Sequence, residues 1–189
     1  MKKLIVFSFM LFSLNNFAQK LDSTALILID IQKFYFPGGD AALVEPEAAA
    51  LEAQKVLEYF RENKGLVVHV KHAYEPGGEI HPLVKPIDGE QVFTKSEVNC
   101  FLGTGLDEFL KEKAIKYVVL AGMQTHMCLE GGTRAAHDLG YKCTVVENAC
   151  ATRDLKYGDT VIKAADVHAS TLATLKSYAK IVTAEEFVK

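Results

Sequence analysis

Short apolar runs without polar alternation recur along this chain at Thr24–Ile31, Leu66–Val70 and Ile115–Ala121, and stretches of helical period separate them. Strict alternation would mark a strand with one wet face. A near-continuous apolar run marks a strand buried on both faces, as in a parallel sheet. Weaker runs follow the same rhythm at Gln91–Lys95, Cys143–Val146 and Ile181–Thr183. Helical period appears from Pro46 to Asn63, with Gly65 just past its end, then from Gly103 to Lys113, after Cys128 to Leu139, and from Tyr157 to Ala179. Strands alternating with helices imply right-handed βαβ units and a parallel sheet covered by helices. No internal repeat or linker interrupts this order, so one domain is expected.

The remaining segments read as connections. Phe34-Tyr35-Phe36-Pro37-Gly38-Gly39 is an aromatic loop whose rings either wall a pocket or plug the sheet end. Lys71–Gly89 is broken by prolines and glycines. Glu147–Asp154 reads as the loop after the Cys143 strand. Thr183-Ala184-Glu185-Glu186 is a capping box for a terminal turn.

The first residues follow a different rule. Lys2 and Lys3 precede the apolar run Leu4–Phe12, and Asn15–Ala18 ends on a small residue. That pattern is an export signal, too short to span a bilayer comfortably. Residues 1–18 are therefore expected to be removed after Ala18, leaving a domain over 19–189 in an exported, periplasmic protein. Cleavage takes two positive charges from a chain of net charge −3. No basic stretch offers a footprint for nucleic acid, and no glycine-rich phosphate motif supports a nucleotide cofactor. The expected partners are a small-molecule substrate and further copies of the chain. No nucleic acid is expected, and no membrane once the signal is gone.

Chemistry gathers where the apolar runs end. Asp30 closes the first run, Lys95 closes the Gln91 run, and Cys128 lies just past Val118–Ala121, beyond Gly122. In open α/β sheets ligands bind at the carboxyl ends of strands. Cys128 stands where a strand gives way to a helix, a place that favours an anion and lowers a thiol's pKa. A small buried core residue is the other reading of that position. Cys100, Cys143 and Cys150 complete the cysteines. No spacing fits a zinc motif, and Cys143 and Cys150 flank the expected strand, too far apart to bridge. His69, His72 and His81 cluster in one region, but without helical spacing or a neighbouring Asp-x-His, so no metal or other cofactor is expected.

With Asp30, Lys95 and Cys128 in this order, the chain resembles the isochorismatase-like cysteine hydrolase superfamily. The matching pieces are Leu-Ile-Asp-Ile-Gln at 28–32, Lys95 ahead of Phe-Leu-Gly-Thr-Gly-Leu at 101–106, and Ala-Gly-Met-Gln-Thr-His-Met-Cys at 121–128. Asp-Leu-Gly-Tyr at 138–141 and Ala-Thr-Arg-Asp at 151–154 also match. The resemblance implies a three-layer α/β/α fold with a mostly parallel, Rossmann-like sheet. It implies a Cys-Asp-Lys triad with Cys128 as nucleophile, Asp30 as proton acceptor and Lys95 as the cation that holds a thiolate. It also implies a cis peptide at Met123–Gln124, with the backbone N–H groups of Gln124 and Cys128 forming an oxyanion hole. Phe36, Phe101 and His126 are the candidate pocket residues.

Members of the superfamily that act on nicotinamide carry an Asp-x-His metal motif after the second strand. Here that place reads Val70-Lys71-His72-Ala73-Tyr74, without the acidic ligand. Members that cleave a vinyl ether do so by acid catalysis and do not require the cysteine. The expectation is an exported hydrolase of a small-molecule amide or ureide C–N bond. The alternatives are a vinyl-ether hydrolase and a non-catalytic binding protein on the same fold.

Overall fold

The computed structural model describes residues 21–189, so the expected export signal at 1–18 lies outside the described residues. Six strands form one sheet in the order β3-β2-β1-β4-β5-β8, every neighbour parallel. They are β1 (Thr24–Ile29), β2 (Leu66–His72), β3 (Gln91–Lys95), β4 (Tyr117–Met123), β5 (Lys142–Ala151) and β8 (Ala179–Val182). The chain builds outward from β1 to β3, then returns to lay β4 on the other side of β1. The β1/β4 boundary is therefore the switch point, where crevices open at the carboxyl ends of strands.

Every residue of β1 is buried, as its unbroken apolar run requires. Leu26 and Leu28 face one core layer, with Val67, Val119 and the apolar side of helix α1 (Pro46–Glu62). Ala25, Ile27 and Ile29 face the other, with Val68, Val118 and Leu120. That second layer is closed by α2 (Leu106–Glu112), α3 (Glu130–Asp138) and α4 (Ala164–Leu175). The terminal helix α5 (Ala184–Val188) joins α1, with Phe60 and Phe187 stacked at 5.8 Å. These are the three layers, helix, sheet and helix. The capping box at Thr183 and Glu186 is formed.

Two stretches differ from the sequence reading. The residues from Tyr157 onward do not begin a helix: β6 (Leu155–Tyr157) and β7 (Thr160–Ile162) form an antiparallel hairpin ahead of α4. Gly158-Asp159 supplies its two-residue turn, with Gly158 at φ 58°, and Val161-Ile162 its β-branched arm. β5 also runs on to Ala151 through the expected loop. The polar pair Glu147-Asn148 reads as a strand end, but Ala149, Cys150 and Ala151 are buried, and Cys150 and Ala151 re-pair with β4 after a register shift. Cys143 and Cys150 thus lie within one strand, about 23 Å apart at the usual rise, rather than flanking it. All four cysteines are free, buried thiols.

Gly122 is required by packing. It pairs with Ile29 across β1 and β4 at φ 140°, and a Cβ there would collide with the Ile29 carbonyl. The sheet edge that carries Lys95 is tied down by Glu90. Its carboxylate accepts from Arg61 Nε on α1 at 2.7 Å and pairs with His69 Nε2 on β2 at 2.9 Å. Burial acts to raise the Glu90 carboxyl, but bonds from Arg61, the Ile87 N–H and His69 outweigh it and hold it at about 2. A folded pKa below the unfolded one stabilises above the ordinary carboxyl range and loses that stabilisation as pH falls toward the folded value. Glu90→Gln should therefore lower Tm at neutral pH, with the gap to wild type closing on acidification. A gap that stays constant with pH would show that Glu90 acts by packing alone.

Candidate active site

Four adjacent strands deliver one side chain each to a single point. Lys95 ends β3, His72 ends β2 and is its register partner, Asp30 follows β1, and Cys128 follows β4. Asp30 leaves β1 at φ 51°, a left-handed conformation that aspartate tolerates better than most residues. Such a backbone persists where surrounding structure enforces it, and this is common at active sites. The peptide between Met123 and Gln124 is cis, as the resemblance implied. The chain then makes one wide helical turn, Thr125–Leu129, that carries Cys128 and runs directly into α3.

The centre of the cluster is the Lys95 ammonium. Its Nζ is 2.7 Å from Asp30 Oδ2, 3.2 Å from Cys128 Sγ, 3.0 Å from His72 Nδ1 and 3.0 Å from the Glu97 carbonyl. The side chains of Lys95 and Asp30 are fully buried, and Cys128 is 5% exposed. Asp30, His72 and Cys128 present three potential metal-ligand atoms within 4.8 Å of one another. Lys95 Nζ already stands among them, so the protein supplies its own cation at that point.

The electrostatics correct one expectation. Lys95 and the helix start were expected to hold Cys128 as a thiolate. Burial and then the Asp30 charge instead push the thiol up to about 12, against the pull of Lys95. The Asp30 carboxyl is also raised, by burial, despite Lys95. Burial acts against the Lys95 charge, but Asp30 and then Cys128 keep it an ammonium. Burial thus leaves both the Cys128 sulfur and the Asp30 carboxyl with increased proton affinity. Moving the proton from sulfur to Asp30 leaves the net charge of the site unchanged, so burial penalises the transfer far less than loss of the proton to water.

The other predicted residues are placed as follows. His126 is partly exposed and shares a 2.7 Å hydrogen bond with Thr152 through its Nδ1. Phe36 is buried and stacks on His81 at 3.8 Å. Phe101 is buried against Tyr141 in the second core layer. Gln124 is buried; its amide N–H donates to Tyr35 Oη at 3.5 Å, and its side-chain oxygen has no hydrogen-bond partner among the described residues.

Two residues went unread in the sequence. Tyr35 is the member of the aromatic loop that reaches the site: burial, and after it the Asp30 and Cys128 charges, raise its phenol to about 12. His72 was weighed only as a metal ligand. Its place at the end of β2 is the signal that would have found it, since the other three residues were found by that rule.

Comparison with known proteins places the chain in a family. The family model described as the isochorismatase domain matches residues 24–186. An uncharacterized isochorismatase family protein of Bacillus subtilis, YddQ, is 41% identical over 179 residues, covering 88% of this chain and 99% of that protein. The crystal structure described as an isochorismatase hydrolase from Oleispira antarctica superposes with a TM-score of 0.85 at 41% identity, over 88% of this chain and 96% of that one. A shorter match, 32% identity over 85 residues, 45% of this chain and 32% of the relative, joins it to the ureidoacrylate amidohydrolase of Variovorax paradoxus. The matched span takes in every strand that feeds the Lys95 cluster, and with it the chain belongs to the isochorismatase family of hydrolases.

Proposed function

We propose that the protein is a cysteine hydrolase of small-molecule amides or ureides, acting through Cys128, Asp30 and Lys95. The observation that carries this reading is the buried Lys95 ammonium in contact with both the Asp30 carboxylate and the Cys128 sulfur. In the first step the Cys128 proton passes to Asp30, and Lys95 stabilises the thiolate. The sulfur attacks the carbonyl carbon. The oxyanion that forms is held by the backbone N–H groups of Gln124 and Cys128, each contributing about 3–4 kcal/mol when well placed. The C–N bond breaks as Asp30 returns its proton to the leaving nitrogen, which leaves a thioester on Cys128. Asp30 then takes a proton from water, and the resulting attack releases the acid and restores the thiol.

A substrate with N–H groups suits the site. The buried, unpartnered side-chain oxygen of Gln124 is an acceptor, and leaving it unmet costs about 1–3 kcal/mol. An amide or ureide N–H supplies the missing donor. The amidohydrolase named among the relatives is consistent with that bond type. The reading includes export, with the reaction taking place outside the cytoplasm, and assembly with further copies of the chain.

The test is a screen of small amides and ureides with purified protein, repeated after exhaustive chelation. Hydrolysis should be found, with turnover unaffected by the chelator, because Lys95 fills the cation position. Loss of turnover on chelation, restored by one divalent metal, would replace this reading with a metal-dependent one.

A further inference from the structure

An ammonium has three N–H donors and no acceptor. Lys95 faces four acceptors: it hydrogen-bonds Cys128 Sγ, His72 Nδ1 and the Glu97 carbonyl, and forms an ion pair with Asp30 Oδ2 at 2.7 Å. One of the four is unserved at any moment. The Glu97 carbonyl is a fixed backbone group, and the backbone that carries the His72 ring is pinned as well. The Gln32 side chain, fully buried, accepts from the His72 N–H at 2.8 Å and donates to the His72 carbonyl at 3.0 Å. The same amide donates to the Gly78 carbonyl at 2.6 Å. Because Lys95 can only donate, His72 Nδ1 is the acceptor of the bond between them.

Asp30 and Cys128 differ from these two anchors, since their need for a donor changes during the reaction. While Asp30 is ionised and Cys128 is a thiol, the carboxylate is the better acceptor. Once the proton has moved, the thiolate is. We propose that His72 is a positioning residue: with the Glu97 carbonyl it holds two N–H groups of Lys95, leaving a single N–H that passes from Asp30 to Cys128 as the thiol proton passes the other way. The two transfers balance, with one proton moving from sulfur to oxygen and one hydrogen bond from oxygen to sulfur. Lys95 remains an ammonium throughout. The inference rests on the Cys-Asp-Lys reading of the reaction.

Removing the His72 acceptor frees a second N–H, which lets Lys95 serve Asp30 and Cys128 together. The thiolate is then easier to form, while Asp30 stays held as a carboxylate and becomes a poorer proton acceptor. The test uses the purified full chain at one fixed, mildly alkaline pH. Iodoacetamide modification of Cys128 is followed by peptide mass, and kcat and KM are measured on an amide or ureide substrate. In His72→Leu, alkylation of Cys128 should rise about tenfold and kcat should fall about tenfold with little change in KM, the size of one hydrogen bond to a charged group. His72→Asn places an acceptor near the Nδ1 position and should bring both quantities back to within about threefold of wild type. His72→Gln carries its acceptor one bond further out and should behave as His72→Leu does.

A merely structural lesion slows both alkylation and turnover, so the opposite signs are diagnostic. The proposal is overturned if His72→Leu leaves both unchanged or lowers both. If His72→Leu does not fold, equal behaviour of the Asn and Gln variants overturns it. Alkylation needs no turnover, so its change is read separately from the reaction mechanism. Activity surviving in Cys128→Ala would end the covalent reading and leave the His72 result standing.

Discussion

Cys128→Ala is expected to lower kcat/KM on an amide or ureide substrate by about four orders of magnitude or more, the scale seen when a covalent nucleophile is removed. No other thiol can substitute among the described residues. Cys100 is fully buried, and Cys143 and Cys150 point their sulfur atoms at backbone carbonyls within their own strand region. The substitution removes one sulfur from the turn after β4, so the protein should remain folded and still bind substrate. The vinyl-ether alternative gives a different result: proton delivery by Asp30 would suffice, and the alanine variant would keep substantial activity. A folded Cys128→Ala protein with near wild-type kcat/KM would remove the thioester from the account.

Asp30→Asn is the second large effect, with an expected loss of about 10²–10⁴ in kcat, the usual contribution of a positioned acid or base. Asparagine still offers Lys95 an acceptor, so the cluster should stay assembled while the proton transfer is lost. With burial and the Asp30 charge holding the Cys128 thiol up at about 12, the sulfur gives up its proton at neutral pH only to a nearby base. The pH profile follows from the same carboxyl. Asp30 works as a base only when ionised, and burial raises its pKa. Wild-type activity should therefore fall on acidification beginning above the ordinary carboxylate range, and that acid limb should vanish from the residual activity of Asp30→Asn. A variant that loses turnover but keeps the limb would assign the limb to another group.

Much of this arrangement was legible from pattern alone. The unbroken apolar character of Thr24–Ile29 and Val118–Ala121 predicts central parallel strands, and their ends predicted where Asp30 and Cys128 sit. Lys95 followed from the same rule on a weaker strand. The capping box and the terminal turn were read from four residues. The errors have physical causes. The Leu155–Ile162 hairpin is short and exposed, so it has no periodicity to set against the helix that follows it. β5 extends through Glu147-Asn148 because its register shift lets Cys150 and Ala151 pair again with β4, and a shift of register leaves no mark in a single sequence. The protonation of Cys128 was misjudged because sequence shows the cation and the helix start but not the depth of burial. His72 was missed although the end of β2 marks its place; only its pairing opposite Lys95 across β2 and β3, a relation between strands, is absent from the order of residues.

The covalent route is tested most directly by trapping. The purified protein is mixed with a substrate it hydrolyses, quenched in acid during turnover, and measured by intact and peptide mass. The account predicts an adduct with the mass of the acyl fragment on the peptide that contains Cys128, absent from Cys128→Ala and accumulating when the attack of water is slowed. Turnover with no adduct on Cys128, together with an active Cys128→Ala enzyme, would contradict it.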